Sequence, residues 1–164
     1  MNHQELVGEL AGFTLGHALW NACDFEEGEL LCPLAFVETG EGRELLRFEA
    51  DSQEEAIENA YQEFSQIEGL ASWAFAREGV LNTASGRMEV ILVEAWTEGM
   101  ESPVVFAQQY EPNTVGEFAL LGPPLVIENG LLKSERVEPM REALKRGVQT
   151  HEKAAELWDA WGGW

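Results

Sequence analysis

Three apolar runs in the middle of the chain predict an antiparallel meander of strands. The runs are Leu70–Glu78, Met88–Thr97 and Pro103–Tyr110. The middle run is apolar at both alternating sets of positions around Ile91, which is typical of a strand that is covered on both faces. The segment Gly79–Arg87 contains Asn, Ser and Gly, so we expect a hairpin loop of several residues there. The middle run is therefore the predicted central strand.

A hairpin is predicted before the meander and a second one after it. Leu30–Glu38 and Arg43–Ala50 are separated by the glycine-containing turn Thr39–Gly42. Pro33 has no amide hydrogen to donate to a ladder, so the first of these strands is predicted to lie at a sheet edge. The remaining predicted strands are short: Glu117–Leu121, Leu125–Glu128 and Leu131–Leu132, with the strong turn signal Asn129-Gly130 between the last two.

An amphipathic helix is predicted over His3–Ala22, where apolar residues recur at spacings of three and four. Gly8, Gly12 and Gly16 form a second stripe along it. Each glycine costs a helix about 1 kcal/mol relative to alanine, so the stripe implies a close contact. We favour packing inside the molecule, and the alternative is a helix–helix contact in a dimer.

Two more helices are predicted. Ser52 and Glu55 have the spacing of a capping box, and apolar residues at helical spacing follow as far as Ile67. A mostly apolar stripe over Glu138–Trp161 predicts one long C-terminal helix, with Gly147 as a point where it could bend.

These elements predict a single α+β domain over residues 1–164. Its expected architecture is an antiparallel sheet of five to seven strands, with an N-terminal helix, a middle helix and the long C-terminal helix packed on it. The length suits one domain with a substantial core.

Charge is the most unusual feature of the composition. The formal net charge is −20, and it lies entirely in residues 1–132, which hold 24 acidic and four basic residues. Such a surface repels nucleic acid and anionic membranes and attracts basic partners, although acidity also serves solubility alone. Two cysteines, Cys23 and Cys32, and an N-terminus without a basic-then-apolar leader predict a reducing, cytoplasmic location.

The sequence has no recognisable catalytic or metal-binding motif. Cys23, Cys32 and His17 match no zinc-site spacing, and the acids after Cys23 would raise the pKa of its thiol instead of activating it. The run Asp24–Glu29 lacks the alternating ligands of a calcium loop. We therefore expect no metal and no cofactor.

One candidate ligand site is predicted on the meander. If the turn before Pro103 pairs residues symmetrically about Met100, one sheet face carries a carboxylate, an amide and two aromatic rings. Burial there could raise the pKa of the carboxyl. The alternative is that the carboxylate is held in a salt bridge to Arg77 or a helix residue. The predicted ligand-binding residues are Glu94, Trp96, Gln108 and Tyr110.

The tail of the chain places three tryptophans in seven residues: Trp158, Trp161 and Trp164. We expect them to pack against the sheet, and the alternative is an interface with a partner or a second copy. The charge favours a non-catalytic interaction protein that binds a basic protein partner, of the inhibitor, immunity or chaperone type. The alternative function is a small-ligand-binding protein or enzyme that uses the face around Glu94, and a homodimer is compatible with either.

Overall fold

The computed structural model describes residues 2–84, 86–114, 116–128, 131–132 and 137–164, without the side chains of residues 83, 128, 131, 132 and 137. It confirms the α+β class and the helix over His3–Ala22. In chain order the elements are α1 (His3–Ala22), β1 (Leu34–Thr39), β2 (Gly42–Arg47), α2 (Gln53–Gln66), β3 (Ser72–Thr83), β4 (Gly86–Thr97), β5 (Val104–Glu111), β6 (Ala119–Leu120), β7 (Leu125–Glu128), β8 (Leu131–Leu132), α3 (Val137–Gln149) and α4 (Glu152–Leu157).

The strands form an antiparallel sheet. Within the described residues, seven of them pair in the order β2-β1-β3-β4-β5-β7-β8, and β6 pairs with β5. The meander is confirmed, and β4 is its central strand as predicted. The predicted turn Asn129-Gly130 lies outside the described residues, although the strands on either side of it pair with each other.

Proline at the start of the first hairpin does not mark a sheet edge, so that prediction is wrong. β1 lies between β2 and β3, and β2 is the edge strand. Pro33 precedes the first residue of β1 and contributes only its carbonyl, which accepts from the amide of Phe48 at 2.9 Å. Because a proline just outside a strand needs no donor there, its position carries no information about the edge.

The connection between β3 and β4 is a tight turn, not the loop of several residues that was predicted. Pairing continues to Thr83 and Gly86, and Gly86 takes a positive φ of 114°. β1 pairs with β3 only as far as Ala76. The outer half of the β3–β4 hairpin therefore extends beyond the end of β1.

The glycine stripe of α1 is an internal contact, as favoured above. A Cβ built on Gly12 would lie 1.9 Å from the carbonyl oxygen of Leu144, and one built on Gly147 would lie 2.0 Å from the carbonyl oxygen of Glu9. Backbones of α1 and α3 therefore touch directly, since no side chain fits between them. On its other side α1 packs against β3 and β4, so it is buried between the sheet and α3.

The predicted long C-terminal helix is wrong, because the chain breaks into α3 and the short α4. The break falls at Thr150 and His151, after the amide and hydroxyl of Thr150 have both bonded the carbonyl of Gly147. His151 then starts α4 as its N-cap, its Nδ1 accepting from the amide of Ala154 at 3.1 Å. Gly147 lies inside α3 and serves the close contact with α1, not the bend.

The opposite face of the sheet is covered in part by α2. Its buried residues Ala56, Ala60 and Phe64 pack on a second, smaller core that includes Trp73 and Phe75. The rings of Phe64 and Trp73 stack with centroids 4.6 Å apart. Across the described residues, no helix has the length and apolar character that a membrane crossing requires.

Candidate functional site

The four predicted ligand-binding residues do not share one face of the sheet. β4 and β5 pair Glu94 with Val105 and Ile91 with Gln108, one residue away from the predicted register. The chain turns at Gly99, which has a φ of 100°, and the amide of Met100 bonds the carbonyl of Thr97. This turn is centred earlier than Met100, and a shift of one residue moves side chains to the opposite face.

Glu94 and Trp96 lie on the face that carries α2. Glu94 is only 8% exposed, and its carboxylate forms an ion pair of 2.5 Å with Arg77. Its other oxygen accepts a hydrogen bond from the hydroxyl of Tyr61. Burial and the neighbouring carboxylate raise the pKa of Tyr61, so this phenol stays protonated and remains a donor. Trp96 donates through Nε1 to the carbonyl of Met100 at 2.9 Å.

This arrangement matches the salt-bridge alternative for Glu94 and not an open binding floor. Both carboxylate oxygens are engaged by groups of the same chain. Such a charge is costly to leave unpaired once it is buried. Taken alone, the geometry therefore describes a polar clamp between α2 and the sheet, and a ligand-binding role for Glu94 stays a prediction.

Gln108 and Tyr110 lie on the face that carries α1. Gln108 is fully buried and bonds the carbonyl of Gly122 and the indole of Trp164, both at 2.8 Å. Tyr110 packs against Phe118 with ring centroids 5.6 Å apart, and burial is the main cause that raises its pKa to about 12. The side-chain amide of Gln108 thus holds the indole of Trp164 against the core.

The tryptophan tail folds back onto its own core. Trp158 is 7% exposed and Trp161 is 5% exposed, and both belong to the main core. Trp164 is half-buried and is held by Gln108. Little of the first two indoles is left for another chain, and the interface role of the three residues stays a prediction.

Two histidines meet where α1 passes the start of α4. Nδ1 of His17 lies 3.0 Å from Nε2 of His151, in a setting of aromatic rings that includes Phe13 and Phe36. Because Nδ1 of His151 accepts from a backbone amide, its proton must sit on Nε2 and point at His17. Burial, then the neighbouring His151, lowers the pKa of His17 to about 4, and burial lowers that of His151. Both rings are therefore neutral at physiological pH.

The cysteines form no disulfide and show no sign of activation. Cys23 and Cys32 are free, and burial together with the charge of Asp24 raises the pKa of the Cys23 thiol, in the predicted direction. In the part of the chain that the structure describes, no three histidine, cysteine or acidic side chains are grouped to hold a metal ion.

A cavity lies beside the outer half of the β3–β4 hairpin, and the sequence analysis did not predict a site there. It has a volume of about 710 Å³ and an apolar part that includes Leu30 and Val80, which are 78% and 39% exposed. Among the described residues, the lining holds one guanidinium, that of Arg87, and four carboxylates: Glu49, Asp51, Glu78 and Glu89. We call this cavity the acidic cleft.

Glu78 is the most confined carboxylate of the acidic cleft. Its Oε1 accepts from the amide of Leu31 at 3.0 Å, and its backbone carbonyl accepts from the side-chain amide of Gln53 at 2.6 Å. Burial raises the pKa of Glu78, and the nearby Glu89 adds to that rise while the bond from Leu31 opposes it. A cation in the cleft would offset the repulsion between these carboxylates.

The sequence shows the acidic residues of the cleft but not that they lie close together. Glu78 and Glu89 are acidic residues on neighbouring strands, but the predicted loop over Gly79–Arg87 placed their surroundings outside the sheet. Glu49 and Asp51 precede α2 and approach them only through tertiary packing. Comparisons of the chain with protein-family models, with curated proteins and with solved structures find no match.

Proposed function

We propose that this protein is a non-catalytic interaction protein that binds a basic protein partner, and that the acidic cleft is part of the surface it uses. The observation that carries the proposal is the concentration of unbalanced carboxylates in the cleft. Among the described residues that line the cleft, Arg87 is the one cation; it lies 3.9 Å from Glu89 and its side chain is 70% exposed, so it offsets little of the charge.

Charge elsewhere in residues 1–132 supports the same proposal. Arginines supply all four of the basic residues there. Arg43 is paired with Glu38, and Arg77 is paired with Glu94. The remaining acidic residues leave a negative field that would steer a basic protein toward the surface and make association fast at low salt. Inhibitor, immunity and chaperone proteins are types in which such a surface serves to neutralise or hold a partner.

A test begins with capture of basic proteins from the lysate of the native host, with bound proteins identified by mass. The association rate of the captured partner should then fall at least about tenfold when salt is raised from about 50 to about 500 mM. A rate that is independent of salt would contradict the proposal, and so would the absence of any stoichiometric basic protein.

Two triple variants with the same net charge locate the surface. Neutralising Glu49, Asp51 and Glu89 to glutamine should slow association at low salt by about tenfold. The matched control neutralises Glu54, Glu58 and Glu63, which are exposed on α2 outside the cleft, and should slow it far less. Equal slowing by both variants would show that net charge acts without the cleft.

A further inference from the structure

The outer half of β3 has one edge that β1 does not cover. The register of β1 on β3 ends at Leu34 and Ala76, whereas β3 continues to Thr83 along β4. The preceding segment, residues 30–33, diverges from that register, since the amide of Leu31 bonds the side chain of Glu78 and not its backbone. The acidic cleft therefore occupies the line that a longer β1 would have taken.

The direction of the backbone groups on this edge follows from the ladder. The carbonyl of Pro33 accepts from the amide of Phe48 on the β2 side. The amide and carbonyl of the next residue, Leu34, therefore point the other way, toward β3, where Leu34 pairs with Ala76. By alternation, Glu78, Val80 and Asn82 direct their amides and carbonyls to the same edge. The bond from Gln53 to the carbonyl of Glu78 agrees with this assignment.

From these positions we infer that the edge of β3 at Val80 and Asn82 takes an extended segment of the basic partner as an added strand. The inference rests on the proposed function and specifies how the partner is held. Unpaired strand edges are templates for such pairing, and main-chain hydrogen bonds would supply affinity while side chains supply selectivity.

The chemistry of the cleft sets the composition of the segment. Val80 of β3 is paired with Glu89 of β4, so their side chains lie on the same face of the sheet, and the side chain of Glu78 lies on that face too. A side chain of the added strand on this face would therefore contact the carboxylates of Glu78 and Glu89. Glu49 and Asp51 line the cleft from the loop before α2. Lysine and arginine suit this lining, because their aliphatic stems can lie along Leu30 while their charged ends reach the acids. The segment is therefore extended and carries lysine or arginine at alternating positions.

The test uses a synthetic peptide of about eight residues in which lysine and valine alternate, labelled for fluorescence anisotropy. A second peptide has the same sequence and charge, but alternate backbone amides are methylated so that it cannot form a ladder. We expect the methylated peptide to bind at least about tenfold more weakly, because ladder hydrogen bonds are lost while the charges remain. Hydrogen exchange should also show new protection at the amides of Val80 and Asn82 on binding of the first peptide.

A pair of protein variants gives an independent readout. Val80→Pro removes the amide hydrogen that points to the free edge and leaves the ladder with β4 in place, so it should fold and bind the peptide at least about tenfold more weakly. Val80→Ala keeps the amide and should bind within about threefold of the natural protein, since it loses only part of one half-exposed side chain. Near-ultraviolet circular dichroism checks that both variants are folded.

The outcomes separate this inference from the proposed function. Equal binding of the plain and methylated peptides, lost at high salt, would overturn the added strand and leave a basic partner held by charge alone. No binding of either peptide would overturn the added strand, while capture of a basic protein through the acidic cleft would still support the function. If neither peptide binds and no basic protein is captured, both the added strand and the proposed function are overturned.

Discussion

The two faces of the sheet are built on different principles. The face under α1 is apolar and is covered twice, first by α1 and then by α3, whose backbones touch at Gly12 and Gly147. The face under α2 has a smaller core and a clamp in which Glu94 is held by Arg77 and Tyr61. The acidic cleft opens beside α2 at the uncovered end of β3.

This difference separates stability from recognition within one sheet. Close packing of the α1 layer leaves no room for change, because a dense interior transmits any added volume as strain. The α2 face keeps a buried ion pair, and the uncovered end of β3 keeps an open strand edge, where Glu78 and Glu89 project from the same face as the α1 core. These groups cost stability but are what a partner can contact. The comparison predicts that substitutions in the α1 layer act mainly on folding.

Gly12→Ala should have the largest effect. The new methyl group would meet the backbone of Leu144, which cannot rotate away as a side chain could, so we expect a loss of more than about 4 kcal/mol in the free energy of unfolding. Chemical denaturation measures it. Gly40→Ala is the matched control, because nothing lies within 4 Å of a Cβ at that turn position and the variant should be nearly neutral. If Gly12→Ala were as stable as the natural protein, the close backbone contact between α1 and α3 would be contradicted.

Glu94→Gln should have the next largest effect, on the α2 side. It leaves the guanidinium of Arg77 without its counter-charge at 16% side-chain exposure, and we expect a loss of about 3 kcal/mol by denaturation. The exposed pair of Arg43 and Glu38 provides the control, and Glu38→Gln should cost less than about 1 kcal/mol.

A double variant sharpens the Glu94 result. Replacing Arg77 by Met together with Glu94 by Leu should recover most of the stability lost in Glu94→Gln, because the clamp is expensive to break but not to replace by apolar groups. If the double variant is less stable than Glu94→Gln, the ion pair contributes more than its desolvation costs, and the α2 face is as optimised as the α1 face.

The smallest expected effect is a dependence of stability on pH in the α1 layer. The pKa of His17 is lower in the folded protein than the ordinary value of 6.5, so the unfolded chain binds the proton first as the pH falls. The contribution of His17 to stability is therefore complete above about pH 6.5 and is lost as the pH falls toward about 4. Glu78 acts in the opposite sense, because its pKa is raised in the folded state.

Comparison with His17→Phe isolates this contribution. Phenylalanine suits the edge-on ring contact that His17 makes with Phe36 and does not titrate. The melting temperature of the natural protein should fall more steeply than that of the variant between pH 6.5 and 4. Parallel curves for the two proteins would show that the histidine pair is not an acid-sensitive element of the α1 layer.

Most elements could be predicted from the local pattern of residues. Most errors arose where contacts between distant parts of the chain decide the structure. Apolar spacing suffices to place α1, and apolar spacing with the capping residue Ser52 suffices to place α2, because these signals act within one or two turns of helix. The break at His151 was missed because the apolar stripe continues through it, and only the contact with α1 shows where the chain must change direction. The predicted pairing of β4 with β5 was wrong by one residue of register, at the turn around Gly99.

Sequence alone determined the order and type of the elements before the C-terminal helices, the meander, the glycine contact stripe and the concentration of negative charge in residues 1–132. These properties depend on neighbouring residues or on composition. Tertiary structure decided which side chains share a face, which strand is the edge and where carboxylates converge. Because side chains alternate with a period of two, one turn residue reassigns a whole strand, and the acidic cleft exists only because β1 ends before β3 does.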